Sequence, residues 1–199
     1  GDLFTVRTMG NLVPVGADDD GSVSAPVLYA VDQLDVTTVV VCGHSGCGAM
    51  TAALESPVDG PVGRWMQHAE PSVRAWRAGH PVGRAAAEQG LGEVDQLAQV
   101  NVAQALDGLA GLLGHRTTQV QLVGLFLDIA DGTVSVLRED GFVPLTDGEL
   151  VELAHLREPD AVHCTPDGNL VTADEGDLAG GGRGWTVFSP TGRSANRYP

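Results

Sequence analysis

Apolar residues in the first three quarters of this chain recur either at helical spacing or in short unbroken runs. Helical spacing predicts helices over residues 25–34, 48–54, 61–78 (interrupted at Pro71) and 93–113. Apolar runs predict strands over residues 2–6, 36–41, 119–129 and 134–137. The 36–41 run has no polar alternation after Thr38, which is typical of a strand covered on both faces. Alternating strands and helices predict an α/β domain whose largely parallel β-sheet is flanked by helices.

The periodic pattern of apolar residues weakens after about residue 145, which predicts a domain boundary there. We expect one domain over residues 1–145 and a C-terminal extension over residues 146–199 that is partly disordered. Residues 150–156 have the spacing of one or two helical turns, and the rest of the extension is rich in glycine and proline. With 199 residues in total, the chain can bury a sizeable core in its first part.

Composition and charge indicate which partners the chain is not expected to bind and in which compartment it works. The chain carries 26 acidic and 11 basic residues, for a net charge of −15. This field repels nucleic acid and anionic membranes, so neither is expected as a direct partner. No signal-peptide pattern is present, and no apolar run approaches the roughly 18 residues of a membrane span. The odd cysteine count (Cys42, Cys47 and Cys164) argues against a disulfide framework and for a reducing cytoplasm.

A glycine-rich turn after the 36–41 strand presents His44 and Cys47 three residues apart. Imidazole nitrogen and thiolate sulfur are ligands that zinc prefers, so both residues are candidate metal ligands. For an isolated His-x-x-Cys pair, a buried thiol beside a capping histidine is the more common explanation. A zinc site also needs at least three ligands from the protein, and this turn provides two.

The string Cys42-Gly-His-Ser-Gly-Cys-Gly-Ala-Met50 surrounds this pair. It resembles the corresponding segment of the β-class carbonic anhydrases, and a weaker resemblance extends over roughly residues 1–140. The other similar segments are Gly1 to Asn11, Leu28 to Val31, Asn101-Val102, and Gly124 to Ile129 with Asp131-Gly132.

The resemblance implies a zinc enzyme that hydrates CO₂ reversibly to bicarbonate and a proton. Members of the family hold Zn²⁺ with two cysteines and one histidine, so His44 would be the imidazole ligand and Cys47 the second thiolate. Gly43 and Gly48 would let the backbone approach the substrate closely. The resemblance also implies a homodimer.

The first cysteine ligand of the family lies in a C-x-D-x-R motif upstream of the G-D-L-F segment, and no such motif occurs in these 199 residues. The Asp/Arg dyad of the family is therefore absent, no catalytic residue can be named, and we expect impaired activity in the chain as given. Three explanations stay open: a fragment of a normal enzyme, a degenerate relative, or a substitute thiol. Cys42 and Cys164 are weak substitutes, and Cys42 is disfavoured because the turn is expected to begin between it and His44.

The alternative function is a non-catalytic domain that binds bicarbonate or regulates, possibly fused to an anion transporter. Only such a fusion would place the chain at a membrane. A purely structural zinc module is a more distant alternative, since it would require four protein ligands.

Overall fold

The computed structural model describes residues 4–16, 19–55 and 59–146, together with the backbone of four short strands farther along the chain. The chain divides into two compact units. The larger unit contains Val6–Ile129 and Val134–Pro144, and it carries the helices and the first sheet.

The helices of the larger unit are α1 (Ser24–Gln33), α2 (Gly48–Leu54), α3 (Gly60–Met66), α4 (Glu70–Arg77), α5 (Pro81–Glu88) and α6 (Glu93–Leu113), with 3₁₀ turns at Met9–Asn11, Gln67–Ala69 and Gly114–Thr118. Three of these helices, α1, α2 and α6, match predicted ones to within a residue, the predicted helix over 61–78 is divided into α3 and α4, and α5 was not predicted. Pro71 lies in the first turn of α4, where its missing N–H costs no helical hydrogen bond, so the predicted interruption is a helix boundary. No helix in the described part of the chain is long and apolar enough to cross a membrane.

Helix α5 is absent from the predicted set because its inward face is made of small residues. Val82, Gly83 and Ala86 are its buried positions, and they form no stripe of large apolar side chains. Its start is nonetheless marked by Pro81 at the first helical position and by His80, whose Nδ1 accepts a hydrogen bond from the Val82 amide.

The first sheet contains β1 (Thr38–His44), β2 (Gln121–Leu127), β3 (Val134–Leu137) and β4 (Phe142–Pro144), in that order. β1 and β2 are parallel, with Thr38 beside Gln121 and His44 beside Leu127. The other two pairs are antiparallel, so the sheet is mixed. The predicted α/β class is confirmed. β4 was not predicted, because three residues are too few to show a period.

The predicted strand over residues 2–6 is wrong where the structure describes it, since residues 4–8 belong to no strand. An extended segment becomes a strand only when a neighbour accepts its hydrogen bonds. β1 is the edge strand of the described sheet, and β2 is its only partner there. On this edge strand, Val40 and Cys42 are exposed.

The core forms where α6 packs against β1 and β2. Two glycines make this close approach possible, one on each strand. A Cβ atom on Gly43 would lie 2.7 Å from Val102 Cγ2, and one on Gly124 would lie 2.9 Å from Leu106 Cδ1 and 3.0 Å from Val102 Cγ1. Distances below 3.0 Å do not occur between real atoms of this kind, so the helix can sit this close only because both side chains are absent.

An ion pair joins α1 to the 3₁₀ turn that follows α6. Arg116 donates from Nε to Asp32 Oδ1 (2.6 Å) and from Nη2 to Asp32 Oδ2 (2.8 Å), a bidentate geometry. This hydrogen bonding holds the pKa of Asp32 below its usual range. Both side chains are about a third exposed.

The smaller unit contains Gly1–Thr5, Ala130–Thr133 and Leu145–Pro199. Its described strands, β5 to β8, form an antiparallel sheet in sequence order at His163–Cys164, Leu170–Ala173, Trp185–Phe188 and Ala195–Asn196. The helical turn predicted over residues 150–156 lies outside the described residues. The division at residue 145 and the partial disorder of residues 146–199 stay predictions.

Replacing Gly43 by Ala should lower the free energy of unfolding by about 1–3 kcal/mol, because a methyl group would overpack the contact with Val102. Urea unfolding measures this change. Val102→Ala should lower the free energy of unfolding less in the Gly43→Ala variant than in the unmodified chain, because there it also relieves the clash with the added methyl group. Gly111→Ala is the matched control, because nothing lies within 4 Å of its Cβ position. Equal losses at Gly43 and Gly111 would contradict this packing account.

The Asp32–Arg116 pair should stabilise the fold in a pH-dependent way. Because the pKa of Asp32 is lower in the folded state, its contribution is present above the ordinary Asp pKa of about 4 and disappears as the pH falls through the lowered value. The test compares urea midpoints of the unmodified chain and Asp32→Asn across this range. The difference should shrink on acidification. A difference that is constant with pH, or equal to that of the exposed control Asp107→Asn, would refute the assignment.

Candidate metal centre

His44 and Cys47 flank a two-residue turn at the carboxyl ends of the parallel strands. His44 is the last residue of β1, and Cys47 directly precedes α2. The Ser45 amide donates to the Leu127 carbonyl (2.9 Å), so the turn leaves the sheet beside the end of β2. Sites in α/β proteins occur at the carboxyl ends of parallel strands. Both predicted zinc ligands therefore belong to one turn at the edge of the sheet where chemistry is expected.

The imidazole of His44 is oriented by the backbone of the same turn. Its Nδ1 lies 3.0 Å from the carbonyl oxygen of Ser45. Because a carbonyl can only accept, this contact assigns the hydrogen to Nδ1 and leaves the lone pair of the neutral ring on Nε2. Histidines that bind metals commonly donate their second ring N–H to a backbone carbonyl in this way. The half-buried ring of His44 thus has the tautomer and support of a metal ligand.

Cys47 carries a free thiol that is 4% exposed and belongs to the hydrophobic core. Between the two candidate ligands, Gly46 has φ +63°, in the left-handed region that favours glycine. This conformation turns the chain from the end of β1 into α2 within two residues.

Ser45 ties the turn to the segment after β2. Its Oγ donates to Asp128 Oδ1 (3.3 Å) and accepts from the Ile129 amide (2.9 Å). The second turn residue is held from another direction, since the Gly46 amide donates to Asp95 Oδ1 (2.7 Å). Asp95 lies in the first turn of α6.

The loop at residues 9–11 supports the start of α2. Gly10 has φ +73°, and a Cβ atom there would lie 2.8 Å from Ala49 Cβ. The Gly10 carbonyl accepts from Asn101 Nδ2 (2.8 Å), and Asn101 Oδ1 accepts from Ser72 Oγ (2.8 Å). Asn101 and Ser72 are buried. The loop is therefore locked against the helix that begins directly after Cys47.

The two glycines predicted to approach the substrate differ in their surroundings. Gly43 is buried, and its packing against Val102 already accounts for the missing side chain. Gly48 is exposed at the start of α2, with nothing within 4 Å of its Cβ position. A role for either in substrate binding stays a prediction.

The donor set in the described residues is incomplete. His44 and Cys47 have the chemistry of zinc ligands, yet residues 4–16, 19–55 and 59–146 contain no group of three His, Cys, Asp or Glu side chains that could hold a metal ion. Zinc sites take at least three protein ligands. The observed turn thus fits a zinc ion as two of its ligands and requires another donor.

Cys42 is better placed than its sequence context indicates. The expectation that the turn begins between Cys42 and His44 is wrong, because β1 continues through His44. Residues two apart in a strand share a face, so both side chains lie on the same side of the sheet. Cys42 is nevertheless an exposed residue, and its Sγ is directed to the Gly43 carbonyl, 3.5 Å away. Cys164 lies in β5 of the smaller unit, where only the backbone is described.

Comparison with known proteins settles the family. The carbonic anhydrase family model matches residues 1–134. The chain belongs to the β-class carbonic anhydrases. A carbonic anhydrase from Pseudomonas aeruginosa is 36% identical over 150 residues, which cover 69% of this chain and 63% of that protein. The chain thus spans less than two thirds of the length of this relative.

Solved structures agree with the fold. The β-carbonic anhydrase CcaA is similar with a TM-score of 0.61 and 25% identity, over 73% of this chain and 68% of that one. Tetrameric β-carbonic anhydrases from Sordaria macrospora are similar with a TM-score of 0.55 and 26% identity, over 73% of this chain and 71% of theirs. The predicted β-carbonic anhydrase type of fold is confirmed.

Sequence reasoning missed three side chains that hold the turn: Asp95, Asp128 and the hydroxyl of Ser45. Asp128 had a usable signal, because it follows a buried strand that runs parallel to β1 and so ends at the same edge. Asp95 had none, since an acidic residue in the first turn of a helix is usually explained by the helix dipole.

Replacing Ser45 by Ala should lower the free energy of unfolding by about 1–3 kcal/mol, because the hydroxyl makes two hydrogen bonds and each has a usual net value of about 0.5–1.5 kcal/mol. Thermal or urea unfolding measures it, and amide exchange should accelerate at Ile129. Ser135→Ala is the matched control, because its hydroxyl has no hydrogen bond shown in the described part of the chain. An unchanged exchange rate of the Ile129 amide would contradict its hydrogen bond to the Ser45 hydroxyl.

Proposed function

We propose that this chain catalyses the reversible hydration of CO₂ to bicarbonate and a proton, with a zinc ion held in part by His44 and Cys47. The observation that carries the proposal is the turn itself. It combines a histidine whose Nδ1 is engaged by the Ser45 carbonyl with a buried thiol, at the carboxyl edge of a parallel strand pair. Membership of the β-class carbonic anhydrases supports the reaction, and these two side chains account for the choice of metal.

A zinc ion bound here would act as a Lewis acid that lowers the pKa of water to about 7. The protein residues would supply orientation. Ser45 fixes the ring of His44 through its carbonyl and the path of the turn through its hydroxyl. Gly46 and Gly48 leave the backbone around Cys47 without side chains, so a small substrate has room to approach.

The proposal needs a third protein ligand, and the edge of β1 that has no partner in the described sheet indicates where it would come from. A strand added in parallel along this edge would end beside His44, so a cysteine at its carboxyl end would reach the turn. That position suits the C-x-D-x-R segment that the family resemblance implies. Without such a donor we expect weak zinc binding and impaired hydration, unless Cys42 or Cys164 substitutes.

Assembly and location are further parts of the proposal. We expect a homodimer, and exposed apolar side chains such as Tyr29 (54%) and Val62 (48%) and the tetrameric relatives from Sordaria macrospora support self-association. Free thiols at Cys42 and Cys47 support a cytoplasmic location. The alternative function, a bicarbonate-binding domain fused to an anion transporter, stays a prediction.

The test measures bound zinc per chain and CO₂ hydration by stopped-flow with a pH indicator. His44→Ala and Cys47→Ala should each remove bound zinc and lower the rate of CO₂ hydration by more than about a hundredfold. Loss of a residue that only hydrogen-bonds to a ligand already lowers affinity or activity about 10- to 100-fold, and loss of the ligand itself should have a larger effect. His115→Ala is the control, since His115 is exposed in the 3₁₀ turn after α6. Circular dichroism verifies that each variant is folded.

Zinc that persists in both ligand variants would refute the assignment of the site. Zinc that depends on His44 and Cys47 without measurable hydration would refute the catalytic proposal and favour the bicarbonate-binding alternative. If zinc binds and hydration occurs, Cys42→Ser and Cys164→Ser then decide whether either thiol is the third ligand.

A further inference from the structure

The turn between the two candidate ligands has both of its amides engaged by other elements. The Ser45 amide donates to the Leu127 carbonyl at the end of β2 (2.9 Å), as expected for a continuing sheet ladder. The Gly46 amide donates to a side chain, Asp95 Oδ1, at 2.7 Å. Asp95 is 49 residues away in the sequence. The second contact is therefore a tertiary bond that the local turn does not itself provide.

Gly46 is exposed, so water could satisfy its amide if Asp95 were absent. The bond is thus not needed to avoid a buried unpaired donor. Its effect is on conformation, because a glycine at φ +63° has no side chain to limit its backbone and can leave this conformation at little cost. A bond to an ionised acceptor is stronger than one to a neutral group, which makes the carboxylate an effective restraint.

The helix that carries Asp95 is firmly placed. Leu97 and Val100 in the next turn are fully buried. Gln96, the neighbour of Asp95, accepts from Trp76 Nε1 (3.1 Å) and donates to the Leu91 carbonyl (2.6 Å). Asp95 therefore anchors Gly46, the glycine between His44 and Cys47, to a helix that the core holds in place.

We infer that Asp95 is a positioning residue of the metal centre, which fixes the Gly46 backbone so that His44 and Cys47 are presented to one metal ion. The inference rests on the proposed function, because the spacing of these side chains matters only if both bind the metal. Asp95 acts through Gly46 and is not itself a ligand. It should affect metal affinity and the ligand field while leaving the core unchanged.

The experiment titrates the full chain with Co²⁺, whose visible spectrum reports thiolate ligation and coordination geometry. Asp95→Ala should weaken Co²⁺ binding by about 10- to 100-fold, the usual cost of losing support for a ligand. Asp95→Asn keeps an oxygen that can accept from Gly46, so it should restore most of the affinity and the original spectrum. Asp107→Ala, on the same helix and bonded only to Gln104 in the described structure, is the control.

Amide exchange followed by NMR gives a second readout that needs no metal. The Gly46 amide should exchange slowly in the unmodified chain and in Asp95→Asn, and rapidly in Asp95→Ala. Unchanged Gly46 exchange in Asp95→Ala would overturn the inference.

The outcomes separate this inference from the proposed function. Equal Co²⁺ affinity and spectra for the unmodified chain and Asp95→Ala, with binding lost in His44→Ala, would overturn the role of Asp95 and leave the metal site standing. Equal weakening in Asp95→Ala and Asp107→Ala would also overturn it, since the effect would then be general. Because the described donor set lacks a third ligand, the titration extends to a large excess of Co²⁺. No Co²⁺ binding by the unmodified chain at any metal concentration would refute the metal site and this inference together.

Discussion

The close packing of α6 on the parallel strand pair governs the rest of this structure. Val102 lies between glycines of neighbouring strands, against Gly43 of β1 and Gly124 of β2. The missing side chains let the helix axis approach the sheet more closely than ordinary residues allow. Because α6 is this close, side chains from its first turns reach the loops at the sheet edge. Asp95 contacts the turn after β1, and Asn101 contacts the loop at Gly10.

The turn between His44 and Cys47 gains its order from these neighbours. The Ser45 and Gly46 amides have partners on different elements. Each partner belongs to a segment that the core already holds, at the end of β2 or the start of α6. A site that must present two side chains to one ion depends on such supporting contacts, since small errors in ligand placement cost affinity. The geometry of the turn therefore depends on the packing of the core.

Local patterns were sufficient to predict much of the fold and to nominate His44 and Cys47 as candidate ligands. Helices α2 and α6 have the predicted bounds, because periodic apolar residues and a terminal glycine specify them locally. His44 and Cys47 could be predicted as ligands from the residues around them, whereas the spacing of the pair alone favours a buried thiol beside a capping histidine. Helix α5 could not be found by periodicity, since its buried face is made of small residues. Asp95 and Ser72 could not be assigned either, because their roles depend on which elements meet in space.

Three observations at the outer edge of β1 cannot be explained by the local sequence. Residues 4–8 form no strand, although their apolar pattern predicts one. Val40 and Cys42 are exposed on a strand whose sequence is typical of one covered on both faces. His44 and Cys47 form an incomplete donor set within the described residues. One further parallel strand along this edge would pair with β1, place its own side chains beside Val40 and Cys42, and end beside His44. The same neighbour would therefore extend the sheet and be in position to supply a further donor to the candidate metal centre.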